Sequence, residues 1–492
     1  MSDALSKLWA LSREVRHLQC VCEMLDYDAQ REMPPLATAG RGEQSALLSA
    51  FVHKKLTGRE LGVLLNEAAQ MPEAAEFPNA QMLRCLKREY EVNSRVPAKF
   101  VMREANLCVK AQYAWEQAKK QNNFADFAPF LDEIFALKRE YSTFFDYPHI
   151  YDALLNQYEN GFSAVQVEEI MAELRSAQRN IIQSALAAQP PQGDVLCGKF
   201  SIKRQEKLSR MAAGILGFDR QQGVISTSEH PFTVTCGVHD VRITTKYFPD
   251  NLSSLFSTLH ETGHALYEQN VAEAWIDTLP GAPQSLVLHE SQSRLWENIV
   301  GRSPEFSACL FKILQKFFPR HFNQLEFSRF LSSVNQVRPS LIRTEADEAT
   351  YNMHIMLRYE LEVAMLKNEL KARDLPAVWR EKMQEYLGVT PQNDTEGVLQ
   401  DVHWACGLVG YFPTYLLGNL ASAQIFAAAE KQLPGLHEEL KQGETGSLRK
   451  FLIQNIYRFG GLYSAPEILQ QVCGEPLSAQ PYLIYLTNKF CR

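Results

Sequence analysis

A chain of 492 residues, 46% hydrophobic and 22% charged, can bury a large core, which excludes a disordered chain, a collagen-like repeat or a disulfide-stapled mini-scaffold. Its net charge of −7 provides no electrostatic footprint for nucleic acid. No run reaches the ~18 uninterrupted apolar residues of a membrane helix. The first residues lack the basic-then-apolar layout of a secretory signal. The ten cysteines include no CxxC pair and read as small buried hydrophobes in a reducing compartment, so a cytoplasmic protein is expected.

Leu5, Leu8, Leu11, Val15 and Leu18 recur at three- and four-residue spacing, which predicts a first helix that ends at Pro34-Pro35. Thr57-Gly-Arg-Glu60 and Ser163-Ala-Val-Gln166 read as capping boxes that open further helices. The run 77–120 carries alternating charges on a helical period, and Ala188-Gln-Pro-Pro-Gln-Gly-Asp194 reads as a loop. Three β-branched runs then break the helical pattern: Val224–Thr227, Phe232–Cys236 and Val241–Tyr247. They predict a small sheet, with Gly237-Val-His-Asp240 as a hairpin turn. Beyond 250 the pattern returns to helix, with starts at Ser303-Pro304-Glu305 and Ser464-Ala-Pro-Glu467. Length alone suggests about three domains. The absence of linkers and internal repeats instead favours one mostly α-helical unit, with an N-terminal helical lobe over about 1–220 and the chemical motifs over 230–415.

The helix after the sheet reads His260-Glu261-Thr262-Gly263-His264. The i, i+4 spacing puts both imidazoles on one helix face, one turn apart, where they can reach one Zn²⁺. Glu261 points beside that pair, where a general base for hydrolysis belongs. Glu290, in His289-Glu290-Ser291-Gln292, follows on a second helical run and suits a third ligand. Two histidines and one glutamate leave a position open for water, the layout of a catalytic site; the same set also accepts Co²⁺ or Mn²⁺.

Six short motifs in order resemble the carboxypeptidase Taq (thermostable carboxypeptidase 1) family of zinc carboxypeptidases. They are His230-Pro-Phe232, Asp240-Val-Arg-Ile-Thr244, His260–His264, His289–Gln292, Ile342-Arg-Thr-Glu-Ala-Asp347 and Gly397-Val-Leu-Gln-Asp-Val-His-Trp404. Asp28–Pro35 resembles the family's entry segment, with Tyr27 where a Trp is usual. The resemblance implies a neurolysin-like two-lobed helical fold with a deep groove and a small β-sheet beside the zinc helix. It implies removal of single residues from the free C-termini of peptides with broad side-chain preference, and a homodimer; the lack of a long apolar run separately leads to no membrane partner being expected.

The resemblance also assigns substrate-binding roles. Arg343 and Arg242 would grip the C-terminal carboxylate at the closed end of the groove, because a guanidinium pairs with a carboxylate bidentately. The alternative for each is a salt bridge with a nearby acid, Asp347 or Asp240. His230, His403 and Tyr415 are candidates for stabilising the oxyanion, and His403 could equally be a core histidine beside Trp404. Asp347 and Asp401 are candidates to orient a zinc histidine. A neurolysin-like endopeptidase or dipeptidase shares His-Glu-x-x-His and the later glutamate; the paired arginines favour the carboxypeptidase. A third possibility is a helical scaffold without catalysis, against which the intact ligand set and base count.

Overall fold

The computed structural model describes residues 3–189 and 193–491. The chain is mostly α-helical with one three-stranded sheet. It divides into two compact units: residues 3–94, 193–334 and 421–476 form one, and residues 95–189, 335–420 and 477–491 form the other. The stretch 1–220, expected as one N-terminal lobe, is thus shared between the units. All ten cysteines are free. Among the described residues, no helix is long and apolar enough to cross a membrane.

In the first unit, the opening helix Asp3–Ala29 buries Leu5, Leu8 and Val15. They pack with Trp9, Leu61, Leu64, Met82, Leu86 and Trp275 in one core cluster. The helix stops at Ala29, earlier than Pro34-Pro35, and a turn and a short 3-10 segment at Pro35–Ala37 follow. The expected capping box at Thr57 is absent. Thr57 is the last residue of Thr38–Thr57, and its hydroxyl donates back to the His53 carbonyl. The next helix, Arg59–Ala69, is instead entered through extended Gly58. The run 77–120 is two helices, Asn79–Arg95 and Ala98–Gln121, because Pro97 forces its neighbour out of the helical region.

The other helix starts follow local chemistry. Ser163 and Ser464 form reciprocal capping boxes with Gln166 and Glu467. Ser303 accepts from the Phe306 amide, with Pro304 at the first helical position. The helix opened by Ser163 ends at Ala188; of the loop expected there, 190–192 lie outside the described residues.

The sheet has β1 (Gly223–Thr227), β2 (Thr233–Gly237) and β3 (Asp240–Thr245) in the order β1-β3-β2. β1 runs parallel to β3, and β2–β3 is the expected antiparallel hairpin. His239 takes the left-handed conformation of its turn. Val241 and Ile243 of β3 pack with Ala213, Phe218 and Ala265. Ala265 lies on the helix Ser253–Gln269, so the sheet braces the helix that carries His-Glu-x-x-His.

In the second unit the helix Tyr351–Leu366 is almost wholly buried. An apolar run such as Ile355-Met-Leu357 explains most of that burial, but the same helix also carries buried His354, Arg358 and Glu362. Buried ionisable groups are rare unless they are paired, and two of the three hold the polar network described below.

Candidate metal centre

His260 and His264 sit one turn apart on the helix Ser253–Gln269, with ring centroids 4.9 Å apart. Glu290 comes from the helix Leu286–Arg294 packed beside it. Gly263 makes that close packing possible. A Cβ there would stand 2.6 Å from the Gln292 carbonyl oxygen and 2.7 Å from Ser293 Cα. The helix backbones therefore meet where the motif itself leaves residue choice open.

The three side chains converge on one point. Glu290 Oε2 lies 3.8 Å from His260 Nε2 and 3.6 Å from His264 Nε2. These distances exceed hydrogen-bonding range. Ligands ~2.1 Å from a tetrahedral ion stand roughly 3.4 Å apart, so the donors present fit a divalent ion. Arg294 Nε donates to Glu290 Oε1 across 2.7 Å, and Ser293 Oγ lies 2.7 Å from the Glu290 backbone carbonyl and 3.2 Å from Oε2. Arginine and serine thus fix the carboxylate with Oε2 turned toward the histidines.

A buried carboxylate fixes His260. Its Nδ1 lies 2.9 Å from Glu297 Oε2, which leaves Nε2 for the metal. Glu297 sits in Leu295–Val300, where the helix widens to a π turn, a device common at functional sites. Burial opposes the charge on Glu297, but His260 and Arg294 overcome it and hold the carboxyl at about 2. Sequence reasoning named Asp347 and Asp401 for this orienting role. Asp347 instead accepts from the amides of Arg338, Ala349 and Thr350, and Asp401 pairs with arginines.

His264 is supported differently. Its ring stacks on His289, with centroids 4.3 Å apart and planes 16° apart. His289 Nε2 lies 3.1 Å from Glu268 Oε1.

Glu261 is buried beside the ligands, and burial raises its carboxyl above the ordinary range. Thr233 Oγ1 on β2 donates to Glu261 Oε2 across 2.6 Å. That leaves Oε1 for proton exchange. Thr233, Glu297, Glu268 and Arg294 escaped sequence reasoning. The only local signal was helical spacing of Arg294 and Glu297 from Glu290.

Arg242, on β3, is bidentate to Asp240: Nε and Nη2 bond the two carboxylate oxygens at 2.8 and 2.7 Å. The two alternate residues share one face of the strand. Arg242 also lies 4.9 Å above the Tyr27 ring. His230 is exposed in the 228–232 loop, which the Ser228 hydroxyl closes by donating to the His230 carbonyl.

The second unit brings Arg343, His403 and Tyr415 together. The Arg343 guanidinium is 5.1 Å from the Tyr415 ring centre, and His403 Nε2 is 3.4 Å from the Tyr415 hydroxyl. Arg343 pairs with Asp401 through Nε and Nη2 at 3.0 and 2.9 Å. The i, i+4 bridge to Asp347 does not form, because 343–345 is a 3-10 turn and the α-helical spacing is lost. Burial lowers His403 to about 4, so its ring is neutral at pH 7.

A convergent His-His-Glu donor set, with a buried acid held beside it, is the equipment of a metal-dependent hydrolase. Comparison with known proteins narrows that class. The chain belongs to the Carboxypeptidase Taq (M32) metallopeptidase family, whose model matches residues 7–490, and is a metallocarboxypeptidase, a peptide hydrolase. It is 33% identical to Carboxypeptidase 1 of Bacillus subtilis over 98% of this chain and 96% of the relative. It is 34% identical to Thermostable carboxypeptidase 1 of Thermus thermophilus over 99% and 98%. The M32 carboxypeptidase of Deinococcus radiodurans superposes with a TM-score of 0.96 at 35% identity, covering 99% of both chains. The family implies a divalent metal, and the donors of this chain fit one.

Proposed function

We propose that the chain removes single residues from the C-termini of peptides, with broad side-chain preference, and that Zn²⁺ is its working ion. The observation that carries this reading is the convergence of His260, His264 and Glu290 with Glu261 alongside. The donor set of two imidazoles and a carboxylate suits Zn²⁺, with Co²⁺ or Mn²⁺ as substitutes. When bound, such an ion polarises a scissile carbonyl and makes water a stronger acid.

The residues then divide the work. Glu261 accepts the proton of the attacking water at Oε1 and passes it to the leaving amine, while Thr233 keeps Oε2 fixed. Glu297 holds the tautomer of His260. Arg343 grips the C-terminal carboxylate, and neutral His403 with Tyr415 supplies hydrogen-bond donors to the substrate. Arg242 would contribute to the same recognition, oriented by Asp240. His230 belongs to the candidate set through family resemblance. The reading extends to a homodimer in the cytoplasm, again by resemblance, and ten free cysteines accord with a reducing compartment.

A time course on a defined peptide, read by mass spectrometry, tests this. Stepwise shortening from the C-terminus is expected, stopping on addition of a chelator and resuming with Zn²⁺. The same peptide with an amidated C-terminus should resist. Internal cleavage, or rapid hydrolysis of the amide, would replace this reading with an endopeptidase. E261Q should keep its metal and lose hydrolysis; surviving activity would remove Glu261 from its role.

A further inference from the structure

Arg343 does not stand alone. Asp401 Oδ1 accepts from its Nε and Nη2, and Nη1 donates to the Tyr351 hydroxyl at 2.7 Å. Each terminal nitrogen carries two hydrogens, so one on Nη1 and one on Nη2 remain. Those two are left for a further acceptor, such as a carboxylate. An aspartate this close, however, cancels the charge that would attract a second carboxylate.

Arg358 answers that cancellation. Its side chain is fully buried, and every nitrogen is used: Nε to Asp401 Oδ2 at 2.7 Å, Nη1 to the His354 carbonyl at 2.8 Å, and Nη2 to Gln400 Oε1 at 2.8 Å. Gln400 Oε1 also accepts the Arg343 amide at 2.8 Å. Burial opposes the charge on Asp401, but Arg358 and Arg343 overcome it and hold the carboxyl well below the usual range. Of the three charged groups in contact, two are positive and one negative. The neighbouring histidines add nothing: burial and the two guanidiniums keep His354 and His403 neutral at pH 7. Lys119, bonded to the Gln400 carbonyl at 3.0 Å, has the same sign as the arginines.

We propose that Arg358 is a positioning residue that offsets Asp401, so that the Arg358–Asp401–Arg343 cluster keeps one net positive charge for the single C-terminal carboxylate of the peptide. Arg358, with its side chain fully buried, does not reach substrate and acts only through Asp401. The cluster becomes neutral when a peptide with a free carboxylate binds, and stays charged when an amide binds. This device rests on the reading of Arg343 as the carboxylate ligand.

The test uses the metal-loaded enzyme, one peptide substrate with a free C-terminus, and two dipeptide competitors that differ only in a carboxylate or amide terminus. R358M should raise KM, and the inhibition constant of the carboxylate competitor, about tenfold or more, with kcat within about threefold and the amide competitor unaffected. R358M/D401N, which restores one net positive charge on Arg343 alone, should return both constants to within about threefold of the parent. A structural role would predict that removing a second buried partner worsens the defect. An unchanged KM in R358M, a parallel loss for both competitors, or no rescue in the double variant overturns the proposal. If R358M fails to fold, as judged by melting, R358M/D401N decides: retained carboxylate discrimination supports the proposal and lost discrimination overturns it. R343M reports separately on the underlying reading. If R343M keeps its preference for the carboxylate, Arg343 is not the ligand.

Discussion

The Thr233 hydroxyl donates both to the Glu261 carboxylate at 2.6 Å and to the Glu261 carbonyl at 3.1 Å. One side chain on the sheet thus fixes both the position and the rotamer of the acid on the metal helix. Thr233→Val keeps the shape and the β preference of the residue and removes only the hydroxyl. A hydrogen bond to a charged group contributes about 1.5–3 kcal/mol. kcat/KM should therefore fall about 10- to 100-fold. Metal content and melting temperature should stay close to those of the parent. Loss of metal in this variant would show that Thr233 supports the ligands rather than Glu261.

Gly263 predicts a different failure. Its missing Cβ is what lets the metal helix touch the backbone of Gln292 and Ser293. Backbone cannot rotate away as a side chain can, so Gly263→Ala must separate the helices and carry Glu290 away from the two histidines. Overpacking of this kind costs about 1–3 kcal/mol. The expected result is a lower melting temperature and weakened metal binding together. Titration of the apo protein with Zn²⁺ and thermal unfolding measure both. Full metal affinity in Gly263→Ala would mean that the helices can part without moving Glu290.

The parts legible in the sequence are those set by neighbours in the chain. Ser163, Ser303 and Ser464 start helices because their partners are three residues away. His260 and His264 are readable because one helical turn fixes their geometry. Local chemistry also misleads: Thr57 has the right neighbour in Glu60, yet its hydroxyl closes the preceding helix instead. What the sequence hides lies across long separations. Thr233 is 28 residues from Glu261, Glu297 is 37 from His260, and Arg358 is 43 from Asp401. No periodicity encodes such pairs. A glutamate in an apolar helix, such as Glu362, announces only that some partner exists.

Glu297 tests the support of the metal itself. Its carboxylate bonds His260 Nδ1 at 2.9 Å and stands 3.5 Å from both Arg294 and Arg302. Glu297→Ala leaves His260 free to rotate, deprives Arg302 of its acid and leaves Arg294 paired with Glu290 alone. Loss of such a partner weakens metal binding about 10- to 100-fold. Activity should be recoverable at raised Zn²⁺, which separates this variant from E261Q. A competition titration against a chelator of known affinity gives the shift directly. Unchanged affinity would mean that helix packing alone holds His260.

Glu362 makes stability depend on pH. It is wholly buried, and accepts from Tyr151 Oη at 2.5 Å, Trp404 Nε1 at 2.7 Å and the Gly410 amide at 3.2 Å. Burial nevertheless dominates and lifts its carboxyl from an ordinary 4.5 to about 7. Between those values the native state binds more protons than the unfolded chain, so stability falls as pH rises. The contribution of neutral Glu362 is complete below 4.5 and is lost as pH passes through 7. His403, lowered from 6.5 to about 4, acts in the opposite sense: its contribution grows with pH between about 4 and 6.5. A whole-protein curve mixes the two, and Glu362→Gln separates them, because glutamine resembles the protonated acid at every pH. Urea unfolding of both proteins from pH 5 to 8 should show the parent losing ground to Glu362→Gln as pH rises, by about 3 kcal/mol in the limit. A difference that is flat across this range would mean that the three donors, rather than burial, set the charge of Glu362.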